Sequence, residues 1–166
     1  MTPQQKLTAY RTIVTKEILR FARIWIQTVL PPMITTALYF IIFGNLIGSQ
    51  IGDMEGFRYM EFIIPGLIMM AVITNSYSNV VSSFYSSKFQ RHIEEMLVSP
   101  VPNYVIVLGF ISGGVARGIT CGIAVTAVSL IFSPLNIHNL PVIVSMIILT
   151  AILFSLAGLI NAVFAK

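Results

Sequence analysis

Arg117 is the side chain whose chemistry is hardest to hide, because it stands near the middle of an apolar segment at about 104–132. Some 14 residues separate it from either end of that segment, roughly 20 Å at ~1.5 Å per residue, too far for snorkelling alone to bring the charge to water. An unpaired arginine against lipid costs a few kcal/mol on insertion scales, so Arg117 is expected to face protein or a wet cavity. Asn75 and Asn79 sit in the preceding apolar segment, which runs antiparallel, and fall at a similar depth. The three are expected to form a hydrogen-bonded cluster beside a translocation path; an internal brace with no contact to cargo is the alternative.

Catalytic chemistry finds little support. His92 and His138 are expected on opposite faces of a membrane and cannot share a metal. Neither G-x-S-x-G nor G-x-x-x-x-G-K-[ST] occurs, so neither a nucleophile elbow nor a phosphate-cradling loop is expected. Asp53 lies in a loop, and no span carries an aspartate as an intramembrane protease would need. The single cysteine, Cys121, excludes a disulfide framework and a cysteine metal site.

The second cluster of chemically useful residues is the stretch 88–102, KFQRHIEEMLVSPVP. Ile93, Met96 and Leu97 fall at i, i+3 and i+4 and give a short helix an apolar face, while Lys88, Arg91, Glu94 and Glu95 take the other sides. Pro100 and Pro102 stop it, since each lacks an N–H and biases its predecessor away from helix. A plain hairpin between membrane helices needs only a few turn residues. A charged, partly apolar and proline-terminated loop therefore points to a docking surface; the other reading is a helix lying flat on lipid headgroups.

The elements that must position these residues follow from composition. Of 166 residues 56% are hydrophobic and only 10% charged, against about 25% charged in a soluble domain, so the chain belongs in a bilayer. No charged residue occurs at 24–52, 62–87 or 118–165, and each of these runs exceeds the roughly 20 residues that cross a ~30 Å hydrocarbon core. The expected fold is all-α: an amphipathic interface helix at 1–24 and a membrane domain at 25–166, with spans at about 25–47, 62–87, 104–132 and 141–164. In the interface helix Leu7, Tyr10, Val14, Ile18, Phe21 and Trp25 make the apolar face; Lys6, Arg11, Lys16, Arg20 and Arg23 cover the rest, with Glu17 the only acid. These five cations, against Asp53, Glu55, Arg58 and Glu61 in the next loop, put the N-terminus in the cytoplasm and that loop outside. A basic segment of this kind faces a membrane surface, not nucleic acid. The adjacent Pro31 and Pro32 should open or kink the first span. The second is unusually polar from Thr74 to Ser83, which requires helix neighbours or a hydrated cavity. In the third, Gly109 with Gly113, and Gly114 with Gly118 and Gly122, recur every four residues, a spacing that lets other backbones approach closely.

Three of these features together resemble one family. Pro65-Gly66 opening the second span, the loop from Arg91 to Val101 (RHIEEMLVSPV), and Gly113 to Gly118 (GGVARG) look like the membrane subunit of ABC-2-type transporters, from about residue 16 to the end. The resemblance implies an export permease of the bacterial inner membrane, working as a homodimer among membrane lipids with two copies of a separate ABC ATPase subunit. ATP and Mg would then sit on that partner, with no cofactor on this chain, which would be non-catalytic. It also implies that the loop carries a coupling helix seated in a groove of the ATPase, with Arg91, Glu94, Glu95, Leu97, Ser99 and Pro100 as the docking surface. The cargo of such permeases is a lipid, glycan or drug-like molecule. Their membrane domain has six spans, so the full domain is expected to continue for two more beyond the fourth, and this chain is expected to be a truncated form of it.

Two other classes compete with that expectation. One is a small membrane scaffold or assembly protein that binds partners through 88–102 and moves nothing. The other, a secondary transporter, is disfavoured because no span holds an acidic residue to carry a coupling proton.

Overall fold

In the computed structural model residues 2–47, 59–133 and 139–165 are described. Asp53, Glu55 and Arg58, expected on an outer loop, and His138 lie outside them. Six α-helices follow in order: α1 (Pro3–Arg23), α2 (Trp25–Tyr39) continued by a π-helical stretch (Phe40–Ile47), α3 (Tyr59–Phe89), α4 (His92–Val98), α5 (Asn103–Phe132) and α6 (Leu140–Phe164). Four segments are long and apolar enough to cross a membrane: Trp25–Phe43, Glu61–Phe89, Asn103–Phe132 and Leu140–Phe164. Among the described residues the fold is all-α, as expected.

Local chemistry sets the helix ends. Thr2 and Gln5 close a capping box over α1: the Gln5 amide N–H donates to Thr2 Oγ1 at 3.4 Å, and the Thr2 N–H donates to Gln5 Oε1 at 2.9 Å, ahead of Pro3 in the first turn. The chain bends out of α1 at Ile24, whose backbone leaves the helical region, and α2 starts at the next residue. Pro31 and Pro32 lie inside α2, which continues through them. Each proline deprives the carbonyl four residues earlier of its donor, leaving the oxygens of Gln27 and Thr28 short of a helical partner. The Cys121 thiol donates to the Thr28 carbonyl at 3.6 Å, a neighbouring helix supplying part of what the proline removed.

Helix α3 runs through Lys88 to Phe89, so the first two residues of the stretch 88–102 belong to the span and the short helix begins only at His92. The turn between them passes through Arg91 at φ 60°, the one positive φ at a non-glycine position among the described residues. Ser99 and Pro100 end α4; the Ser99 hydroxyl donates to the Met96 carbonyl at 2.6 Å.

Between helices in lipid there is little hydrophobic drive, so close van der Waals contact and hydrogen bonds must hold the bundle. The glycines of α5 meet that need on two faces. A Cβ on Gly109 would come 2.5 Å from Ile13 of α1, and one on Gly113 would come 2.6 Å from the Glu17 Cβ. Gly114, Gly118 and Gly122 instead face α3, against Val80, Ser76 and Val72, and Gly114 also meets Ser155 of α6. The two four-residue series are thus two seams, one for the N-terminal helix and one for the second span. Helix α6 packs mainly on α3, and Lys88 Nζ donates to the carbonyls of Val163 at 3.0 Å and Ala165 at 2.5 Å, capping its last turn.

Candidate functional site

The face of α1 that packs on α5 is not the whole apolar stripe read from the sequence. Leu7, Ile18 and Trp25 are exposed, whereas Tyr10, Ile13, Glu17 and Phe21 turn inward at three- and four-residue steps. Glu17 retains only 1% of its exposure. Its Oε1 accepts from Ser83 at 2.6 Å, and its Oε2 pairs with Arg20 at 3.3 Å. Arg20 Nη2 also donates to the side-chain and backbone oxygens of Asn79, at 2.9 and 3.1 Å. The Ser112 hydroxyl gives its proton to the Leu108 carbonyl at 2.7 Å, so Tyr10 must be the donor in its own 2.7 Å contact with Ser112. Together these bonds fasten the N-terminal helix to both α3 and α5.

This network changes the company of the expected trio. Asn79 is fully buried, and its side-chain carbonyl is taken by Arg20. Asn75 donates to its own helix at the Ala71 carbonyl, 2.9 Å away. Arg117 neighbours the Cys121 thiol and the Arg20 charge, and its Nε has no hydrogen-bond partner. Arg117 and Asn75 do share one feature: both line a cleft of about 370 Å³ between α2 and α3. Asn79 is not on that cleft.

Helix α5 has 30 residues, so at ~1.5 Å each it is about 45 Å long, half again the ~30 Å hydrocarbon core. Helix α1 lies along its first half, at Gly109 and Gly113. Arg117 is one turn, about 5.4 Å, beyond Gly113, near the middle of the helix.

The expected docking residues gather on the loop that joins α3 to α5. Arg91, Glu94, Glu95, Leu97 and Pro100 are exposed, and Ser99 is half-buried through its bond to Met96. The other side of α4 is anchored: Ile93 and Met96 pack against a buried cluster of Val80, Ile106, Phe110 and Leu159. Leu97 is 56% exposed, Val98 89% and Phe89 81%, an apolar patch set among charges and backed by a fixed helix. Beside it a cavity of about 780 Å³ opens between Thr8 and Thr12 of α1 and Ser99 and Pro100 of the loop. His92 sits on the same surface, its Nδ1 3.9 Å from Glu95 Oε2.

Sequence reasoning missed Glu17, Arg20 and Ser83. The available signal was Glu17 itself, a lone acid among five cations, spaced four residues from both Ile13 and Phe21 on the packed side.

Comparison with known proteins bears on the same residues. Inner membrane transport permease YadH of Escherichia coli K12 is 63% identical over 158 residues, covering 95% of this chain, and the proteins of that name from Escherichia coli O157:H7 and Shigella flexneri match equally. The chain spans 62% of the length of these relatives. No solved structure was found to match. The ABC-2 type transporter family model matches residues 8–166, from within α1 through the loop between α3 and α5 to the last residue, and the chain belongs to that family.

Proposed function

We propose that this chain is the membrane-embedded permease part of an ATP-driven exporter and that a separate nucleotide-binding subunit, carrying ATP and Mg, grips it at α4. The observation that carries the reading is the construction of that loop. A surface that receives a mechanical push must be exposed on one side and fixed on the other. Leu97, Val98 and Phe89 are exposed, while Ile93 and Met96 root α4 in the core cluster that also holds α3, α5 and α6. Force applied to Arg91, Glu94, Glu95, Leu97, Ser99 and Pro100 would pass directly into two spans. Family membership supports an ATPase partner, and the relatives' name supports the bacterial inner membrane.

In this reading α1 lies on the cytoplasmic surface, two permeases pair, and cargo moves along the face that includes Arg117 and Asn75. Asn79 serves indirectly, by holding Arg20. A non-transporting scaffold that uses the same loop is the second reading; the anchored but exposed α4 would serve either. Reversing Glu94 and Glu95 to Lys in the tagged permease separates them when ATPase recovery is measured after co-purification. Loss of the ATPase with intact permease supports docking. Unchanged recovery, or no ATPase with the unaltered chain, favours the scaffold.

A further inference from the structure

Among the described residues no carboxylate pairs with Arg117. Among the described residues the ion pairs are Glu17 with Arg20 and His92 with Glu95. Glu17 Oε1 accepts from Ser83, and its Oε2, without a hydrogen bond, lies 3.3 Å from Arg20 Nη2 as an ion pair. Arg20, another cation, acts on Arg117, whose guanidinium has the Cys121 thiol beside it and whose Nε is buried without an acceptor. Among the described residues Arg117 is the only charged one on the cleft between α2 and α3. A guanidinium so placed is a fork of donors waiting for an oxyanion.

The cleft carries its charge at one end, and toward the other Pro32, Leu67 and Met70 share the lining with Thr35, Thr36 and Tyr39. Contacts across the bundle fix the levels: Cys121 meets Thr28, Gly118 meets Ser76, and Phe40 meets Phe132. Gln27, Asn75 and Ser78 therefore lie at the level of Arg117, while Pro32, Leu67 and Met70 continue toward the far end of α5. The Ser78 hydroxyl is exposed along this face. Arg117 thus marks the charged end of the cleft, and Leu67 and Met70 lie along it away from that charge. Its volume of about 370 Å³ falls within the ~300–1,000 Å³ of small-molecule sites.

We infer that the cleft between α2 and α3 binds an anionic amphiphile, with a phosphate- or carboxylate-type head on Arg117 and an acyl or alkyl tail along Leu67 and Met70. The assignment rests on the permease reading only in calling that amphiphile cargo. Bilayer phospholipid and cargo lipid share the chemistry, and the test distinguishes them.

The purified permease in phosphatidylcholine nanodiscs is titrated with dodecyl phosphate and with dodecyl phosphocholine. The emission of Trp25, the single tryptophan, two residues from Gln27, reports binding. Dodecyl phosphate should bind about tenfold or more tighter than its zwitterionic analogue, and Arg117→Gln should remove that preference, as expected for a charge-assisted pair. Arg117→Lys should keep most of it. Arg11→Gln, which changes an exposed charge on α1, should leave it intact. Should Arg117→Gln fail to fold, Ser78→Leu closes the cleft with every charge in place and should abolish binding. Repeating the titration with phosphatidylglycerol in the nanodisc assigns the source: weakened binding identifies bilayer lipid as the natural occupant, unchanged binding a separate cargo, and both support the class. Equal affinity for the two amphiphiles, saturation by inorganic phosphate alone, or an unaltered preference in Arg117→Gln overturns it. So does loss of self-association in Arg117→Gln without loss of binding, which would place a second copy on Arg117. No ATPase is present in this titration, so its failure leaves the result of the Glu94 and Glu95 reversal untouched.

Discussion

Glu17 brings a carboxylate into a seam where a Cβ on Gly113 would already collide with it, and only its two partners make that tolerable. Removing one member of such a buried pair leaves the other without compensation, at a cost of about 3–5 kcal/mol where both are fully buried. Arg20 keeps 34% of its side-chain exposure, so Glu17→Ala should lose about 2–3 kcal/mol, seen as a lower melting temperature in detergent by circular dichroism. Glu17→Gln, whose amide oxygen can still accept from Ser83, should lose less. Arg117→Gln should behave oppositely. With no acceptor on Nε, it should melt at the same temperature or higher, whereas a structural brace would melt lower. The sequence announced Arg117 because charge deep in an apolar run is conspicuous. It concealed that Arg20 is the partner of Asn79, because which of five cations turns inward depends on how α1 is rotated against α5, and hydrophobic spacing alone does not fix that rotation to within one residue.

At the scale of elements, the glycine spacing in α5 was legible as close packing, while its division between two partner helices was not. Four-residue repeats offset by one position point about 100° apart on a helix, so Gly109 and Gly113 serve α1, and Gly114, Gly118 and Gly122 serve α3. A Cβ on Gly118 would overlap the Ser76 hydroxyl, so Gly118→Val should cost about 1–3 kcal/mol by overpacking and should loosen α3 from α5. Gly66 in α3 provides the contrast, since nothing lies within 4 Å of the position a Cβ would take. Gly66→Ala should be neutral or favourable by up to about 1 kcal/mol through helix propensity alone. Melting temperatures of both variants in one detergent check the pair; equal destabilisation would contradict the assigned seams. The span limits were readable to within a few residues because apolar length is set by bilayer thickness. The separation of α4 from α3 was read too, but the position of the break was not, since it depends on Arg91 adopting a left-handed backbone that composition does not announce.

For the whole molecule, the arrangement links an exposed grip to a cleft through elements that share one core. Helix α4 is rooted beside Val80 and Phe110, α3 carries Asn75 and Ser78 along the cleft, and α1 is tied to α3 by Glu17 and Arg20. A displacement of α4 would therefore carry α3 and α1 with it, and α3 forms one wall of the cleft that holds Arg117. Every step of that chain requires the loop between α3 and α5 to face the compartment that holds ATP. The most direct test is a single cysteine at the exposed Gln90, with Cys121 buried and so a low background, labelled by a membrane-impermeant maleimide in intact cells and in inverted vesicles. Labelling only in inverted vesicles is the expected result. Labelling in intact cells would put α4 on the far side of the membrane, out of reach of any ATPase.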